Sequence, residues 1–309
     1  MPLNPEIARL IEQADALNLP SLDSLSVAEA RAGARLRARP QGKPVASIEA
    51  VSIPGDRGSI GGRIYRPFGS GASQVVVYAH GGGFVICDLD THDNICRNIA
   101  ADAGVVVVSV DYRLAPEHPF PAASDDMVSA VRWAVRKSPS FGGNGGRVIV
   151  AGDSAGAHLA AVAALRLHEC GDDLVSGQLL VYPVTDHYSS GHASYSEFAE
   201  GYGLTRSDMV WFWDHFLPDA AQAGNPWVSP LRADDLSGLP PACVLTSECD
   251  VLRDEGEAYA ARLSDAGVPV HFQRFNGLHH GCLGLNGQVR CVAPMQDAIV
   301  SWLRAVAAL

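Results

Sequence analysis

The chain of 309 residues contains no long apolar run. Its purest stretches are as short as Val105-Val106-Val107-Val108. A membrane-spanning helix needs about 20 apolar residues, so none is expected. Basic runs are missing too. Lys and Arg total 23 against 34 Asp and Glu, for a net charge of −11. A chain of that charge repels phosphate backbones, so nucleic acid is excluded as the expected partner. Seven cysteines, Cys87, Cys96, Cys170, Cys243, Cys249, Cys282 and Cys291, form no Cys-x-x-Cys pair and no zinc-type spacing with histidine. Neither a metal site nor a disulfide framework is indicated, and the thiols read as reduced and mostly buried. Residues 1–6 carry no basic patch leading into an apolar core, so they do not read as a signal peptide and a cytoplasmic location is expected. No internal repeat or low-complexity segment is present. With 47% hydrophobic and 18% charged residues, the composition is that of a globular chain and excludes wholesale disorder.

What is present alternates in type along the chain. Ile7, Leu10, Ile11 and Ala14 recur at helical spacing. Pro20 through Ser26 interrupt that pattern, and a second helix is predicted from Val27 to Ala38, ahead of Pro40. A hairpin follows, with arms Ala46–Ile53 and Gly62–Arg66 and a turn at Pro54–Gly58. Apolar strand-like runs then occupy Gln74–Ala79, Gly104–Val110, Arg147–Ala151, Gln178–Val184, Ala242–Thr246 and Val268–Phe275. Helical stretches are predicted near 91–102, 122–137, 155–169, 205–216, 253–266 and 292–308. Strands apolar on both faces fit a buried parallel sheet covered by helices on each side. Strand–helix alternation predicts the α/β class, an open sheet built by right-handed crossovers. In such sheets ligand sites lie beyond the carboxyl ends of the strands.

One strand, Arg147–Ala151, runs straight into Gly152-Asp153-Ser154-Ala155-Gly156, and a helix begins at once. This is G-x-S-x-G in strand–turn–helix context, the setting of a nucleophile elbow. So tight a turn needs small neighbours, which Gly152, Ala155 and Gly156 are. The serine lands at a helix start, where free N–H groups and the dipole favour negative charge.

Another strand, Gln74–Ala79, ends in His80-Gly81-Gly82-Gly83-Phe84. Three successive glycines cost folding entropy and let backbone N–H groups approach a ligand. A phosphate loop of Walker type would need Gly-Lys-Ser/Thr, which is missing. An oxyanion loop upstream of G-x-S-x-G fits instead, with N–H donors from Gly82, Gly83 and Ala155. His80 is expected to orient this loop.

A serine hydroxyl needs a histidine base and an acid behind it. After the strand Ala242–Thr246 come Glu248 and Asp250, and position past the strand end favours Asp250. Asp254 and Glu255 fall in the first turn of the next helix, where acids favour the dipole. After the last strand come His279 and His280. The two compete as base, since adjacent side chains cannot both point at Ser154. Gly281 after His280 permits a sharp loop.

These segments together resemble the bacterial hormone-sensitive-lipase-like (family IV) esterases of the α/β-hydrolase superfamily. The resemblance rests on HGGGF at 80–84, DYRLAPEHPFPAA at 111–123, GDSAG at 152–156, DVLRDEG at 250–256 and GLHHG at 277–281. It implies a mostly parallel eight-stranded sheet flanked by helices, under a helical cap. The implied division is 1–46 for the N-terminal part of the cap, 47–185 for the first part of the core, 186–228 for a cap insertion and 229–309 for the rest of the core. It implies a triad of Ser154, Asp250 and His280, the family's G-x-x-H-G pattern choosing His280 over His279, with oxyanion donors Gly82, Gly83 and Ala155 and no cofactor or metal. A homodimer is common in the family. Two positions depart from its pattern: Val251 replaces a proline, which would loosen the acid's loop, and Cys282 replaces a phenylalanine, leaving a smaller wall beside the base.

The stretch 195–227 holds eight of the 22 aromatic residues. Most are expected to pack a helical subdomain, a few to line an apolar pocket. Met209 and Trp213, one helical turn apart, are candidate walls, together with Phe84, Asp153 and Cys282. The expected activity is hydrolysis of short- to medium-chain carboxylic esters through an acyl-enzyme. It should rise with pH as His280 loses its proton. A lipase acting on longer-chain acylglycerols is the alternative. A ligand receptor on the same fold is disfavoured because His280 is present.

Overall fold

The structure is a computed structural model that describes residues 3–37, 39–69 and 71–307. Its strands are β1 (Ser47–Gly55), β2 (Gly58–Arg66), β3 (Val75–Ala79), β4 (Val106–Asp111), β5 (Val148–Asp153), β6 (Val175–Val181), β7 (Ala242–Cys249) and β8 (Val270–His279). They form one eight-stranded sheet in the order β1-β2-β4-β3-β5-β6-β7-β8. The pairs β1–β2 and β2–β4 are antiparallel and the rest are parallel.

The helices are α1 (Pro5–Asp15), α2 (Val27–Leu36), α3 (Asp93–Ala103), α4 (Ala122–Lys137), α5 (Ala155–Glu169), α6 (Ser194–Glu197), α7 (Arg206–Phe216), α8 (Arg253–Asp265) and α9 (Ala293–Ala307). Two apolar cores result, one on each sheet face. Along β3, Val75, Val77 and Ala79 enter the core shared with α4, α5 and α8, while Val76 and Tyr78 enter the core shared with α3 and α9. That alternation explains why the strand is apolar at every position: both of its faces exclude water.

Several boundaries differ from the sequence reading. The ladder of the hairpin continues to Gly55 opposite Gly58, so the turn is only Asp56-Arg57. The strand predicted at 178–184 lies at 175–181, because Tyr182 takes φ +35° and Pro183 has no N–H to give a ladder. β7 and β8 run past their apolar stretches, to Cys249 and His279. Backbone pairing continues there although the side chains turn polar. The expected helix ends at Ala38 and 308 lie outside the described residues. Among the described residues, no helix is long and apolar enough to cross a membrane.

Helical segments from 22–36 and 206–216 meet beside the loop that follows β3. α7 packs against the short turn Leu22–Ser24. α2 is fastened to the loops after β3 and β4 by Arg31, which donates to Val85 O at 2.8 Å and Ala115 O at 2.9 Å. The same guanidinium grips both oxygens of Glu117 at 2.7 Å.

Candidate active site

Ser154 joins β5 to α5 in a single residue with φ 57° and ψ −123°. A non-glycine residue held there stores strain of order 1–3 kcal/mol, which the surroundings must hold in place. They do so by close packing. A Cβ on Gly152 would lie 2.3 Å from Gly156 C, and one on Gly156 would lie 2.0 Å from Ala79 O. Both glycines are therefore required by contact. Ser154 N–H donates to Val181 O at 2.9 Å, tying the elbow to the neighbouring strand.

β7 and β8 supply the partners. Nε2 of His280 is 2.8 Å from Ser154 Oγ, and its Nδ1 is 2.7 Å from Asp250 Oδ2. An ionised carboxylate only accepts, so Nδ1 carries the ring proton and Nε2 is free to accept from the serine hydroxyl. The other Asp250 oxygen accepts the Leu252 N–H at 2.9 Å, which fixes the carboxylate plane. Asp250 is 1% exposed.

Both rivals point elsewhere. Glu248 accepts the Gly277 N–H at 2.7 Å. The His279 ring lies against Gly203, has a buried Nδ1 without a partner among the described residues, and is pushed down to about 4 by burial. His279 ends a strand, where successive side chains alternate sides, and this turns the two histidines apart. Val251, which stands where the family has proline, follows Asp250 directly. That side chain is fully buried, and its carbonyl accepts the Ser194 hydroxyl at 2.6 Å.

Gly82 and Gly83 take φ +113° and +57°, conformations that disfavour any side chain. Among the described residues, the N–H groups of Gly82, Gly83 and Ala155 donate to no protein acceptor. Ala155 opens α5, so its N–H also carries the positive end of the helix dipole. His80 is buried and stacks on Tyr112, with ring centroids 4.3 Å apart. Its Nδ1 lies 2.7 Å from Gly81 O, and burial takes the imidazole down to about 4. A neutral ring donating from Nδ1 holds the loop without proton chemistry.

The pocket assignments need correction. Asp153 is not a wall. Its carboxylate sits behind the glycine loop, accepting from Tyr78 Oη at 2.7 Å and from Gly81 N–H at 3.1 Å, with His92 Nε2 at 3.3 Å. Burial opposes its ionisation, but the charge and hydrogen bond of His92 and the Tyr78 hydroxyl hold its carboxyl below the ordinary value. Cys282 faces away from the base, into the core with α9, its Sγ 3.6 Å from Ser247 Oγ and 3.9 Å from Met295 Sδ. Phe84 stacks on Phe216 at 3.8 Å and packs edge-on to His158. Met209 and Trp213 are buried in the same aromatic core. Trp213 also meets His187 at 4.8 Å.

Two neighbours of the site escaped the sequence reading. Phe212 lies against Gly83, where a Cβ would come within 2.2 Å of its ring. Tyr182 lies beside His280, ring centroids 4.7 Å apart. Phe212 belongs to the aromatic cluster, but only the fold shows which ring roofs the loop. Among the described residues, no group of three or more His, Cys, Asp or Glu could hold a metal ion.

A family model described as alpha/beta hydrolase fold matches residues 76–284, more than half of the chain. A carboxylic ester hydrolase of Mycobacterium tuberculosis, LipN, is 41% identical over 290 residues, covering 92% of this chain and 77% of its own. An ethyl acetate hydrolase of Pseudomonas putida is 40% identical over 223 residues, covering 71% and 70%. Among solved structures, an ester-hydrolase from the metagenome of Lake Arreo, complexed with a derivative of bipyridine phosphonate, superposes with a TM-score of 0.95. It is 38% identical, and the match covers 99% of this chain and 100% of that one.

Proposed function

This chain belongs to the hormone-sensitive-lipase-like family of α/β-hydrolases and is a carboxylic ester hydrolase, and we propose that it cleaves short- to medium-chain esters through an acyl-enzyme on Ser154. The reading is carried by one observation: the continuous hydrogen-bond chain from Ser154 Oγ through His280 to Asp250, at 2.8 and 2.7 Å. His280 Nε2 takes the hydroxyl proton as Oγ bonds to the ester carbonyl carbon. The carbonyl oxygen becomes an oxyanion, held by the N–H groups of Gly82, Gly83 and Ala155. Removing one such donor typically costs about 2.7–4 kcal/mol of transition-state stabilisation. Collapse of this intermediate breaks the bond to the alkoxy oxygen, and His280 passes its proton to the departing alcohol. Water then attacks the acyl carbon, giving a proton to Nε2, and the carboxylic acid leaves as Oγ recovers it. Asp250 holds the Nδ1–H tautomer and stabilises the imidazolium in both halves.

The preference for shorter acyl chains is supported by the ethyl acetate hydrolase among the relatives. The test is hydrolysis of 4-nitrophenyl esters from two to sixteen acyl carbons, with Ser154→Ala as control. We expect a maximum at short to medium chains and no turnover above background in the control. Equal turnover by Ser154→Ala would remove the nucleophile, and a maximum at sixteen carbons would replace the esterase by a lipase.

A further inference from the structure

The register between β7 and β8 breaks just before the site. Ser247 faces Phe275, but Cys249, two residues on, faces His279, four residues on. β8 therefore carries a bulge at Asn276–Leu278. In an unbroken register Asp250 would stand level with Leu278, and His280 would lie two residues beyond it. The bulge draws His280 back to the level of Asp250, where the 2.7 Å contact forms. Bulges re-aim side chains in this way beside active sites.

A bulge leaves ladder groups without their usual partners, and a buried N–H must find another acceptor. Gly277, at its centre, is buried and takes φ +69°. Its N–H donates to Glu248 Oε2 at 2.7 Å, and its carbonyl accepts Asn4 N–H at 2.9 Å. Glu248 is itself 8% exposed. It is the one residue on β7 between the two paired positions that flank the break. Its carboxylate thus replaces the missing ladder acceptor at the point where the offset is introduced. From this geometry we infer that Glu248 is a positioning residue for the reaction, acting through the Gly277 amide to hold the bulge that sets His280 against Asp250 and Ser154. The inference rests on His280 being the base. It assigns Glu248 a role distinct from that of the triad acid.

The test compares Glu248→Met, which keeps the bulk and removes the acceptor, with Glu248→Gln, which keeps an acceptor and removes the charge. His280→Ala is the reference, and 4-nitrophenyl butyrate is the substrate. A misplacement of about 1 Å in a reacting group can cost on the order of 10²-fold. Glu248→Met should therefore lose about 10- to 100-fold in kcat, with KM changed by less than about twofold. Glu248→Gln should restore kcat to within about threefold of the parent, a rescue that loss of packing alone would not produce. A Met variant with parent kcat, alongside an inactive His280→Ala, would overturn the inference while leaving the base in place. Glu248→Gln falling as far as Glu248→Met would also overturn it, because charge rather than the hydrogen bond would then matter. An active His280→Ala would instead remove the base, and the inference with it. If Glu248→Met does not fold, Glu248→Asp decides: it keeps the charge on a side chain one methylene shorter, and parent kcat there would refute the role.

Discussion

Replacing Asp250 by Asn tests the hydrogen-bond chain at its most constrained point. The two Asp250 oxygens face different donors, Leu252 N–H at 2.9 Å and His280 Nδ1–H at 2.7 Å. An amide has only one oxygen. If that oxygen keeps the Leu252 N–H, the NH₂ faces His280. Nδ1 must then accept, the ring proton moves to Nε2, and the base can no longer take a proton from Ser154. If the amide flips, His280 keeps its working tautomer but the buried Leu252 N–H loses its acceptor. That loss costs about 1–3 kcal/mol. At 1.36 kcal/mol per tenfold, the flip alone would limit the fall in kcat to between about 5- and 160-fold. A neutral amide also fails to stabilise the imidazolium. The same change in a serine protease, which yields the wrong tautomer, lowers kcat about 10⁴-fold. The expected loss for Asp250→Asn is therefore about 10³- to 10⁴-fold, or 4–5.5 kcal/mol. Initial rates on 4-nitrophenyl butyrate, with active sites counted by phosphonate titration, would measure it. A kcat within tenfold of the parent, in a folded variant, would refute the tautomer argument.

Other consequences follow from the packing around the elbow and from the buried acids. Gly156→Ala would place a methyl 2.0 Å from Ala79 O, a backbone atom with little freedom to move. Its urea midpoint should drop by the equivalent of about 3 kcal/mol, and an unchanged midpoint would contradict the packing. Asp153→Ala removes one of the two acceptors of Gly81 N–H and the acceptor of the Tyr78 hydroxyl. Because the residue lies behind the loop, kcat should fall about 10- to 100-fold while the acyl-chain profile keeps its shape. A changed profile would restore it as a pocket wall. Burial pushes Glu255 well above its ordinary value of 4.5, although it accepts N–H groups from Thr185 at 2.8 Å and Asp186 at 3.3 Å. The folded chain then binds that proton more tightly than the unfolded chain, so stability declines as pH rises past 4.5. Glu255→Gln keeps the acceptor and loses the proton, so it should raise Tm more at pH 8 than at pH 5; an equal change at both would disprove the assignment.

Much of this molecule is legible in one dimension. The strands β3, β4 and β5 announce themselves because burial on both faces keeps nearly every position apolar, Ser109, Asp111 and Asp153 apart. Helices α4 and α5 fall where they were expected, at 122–137 and 155–169. The reading weakens where polar residues enter the sheet. β7 and β8 outlast their apolar runs because the backbone ladder, indifferent to side-chain polarity, continues through Ser247 and Glu248. Pocket walls were misjudged for a related reason. Proximity in sequence to Ser154 or His280 does not say which side of the backbone Asp153 or Cys282 occupies.

The chain's own order of residues was enough to specify the elbow and the glycine loop. Their geometry is a local steric demand: Gly152 and Gly156 flank Ser154 because no larger residue fits. The class of fold followed from the same kind of evidence, the period and length of apolar runs. Position past a strand end and the family's pattern already favoured Asp250 over Glu248 and His280 over His279, whereas the distances that join Ser154, His280 and Asp250 came only from tertiary structure. Each pair lies on one short stretch with almost identical surroundings in sequence. A bulge in β8, in contact with β7 and with Asn4 near the start of the chain, brings His280 level with Asp250. Side-chain direction at a strand end depends on register, and register is fixed by partners far away along the chain.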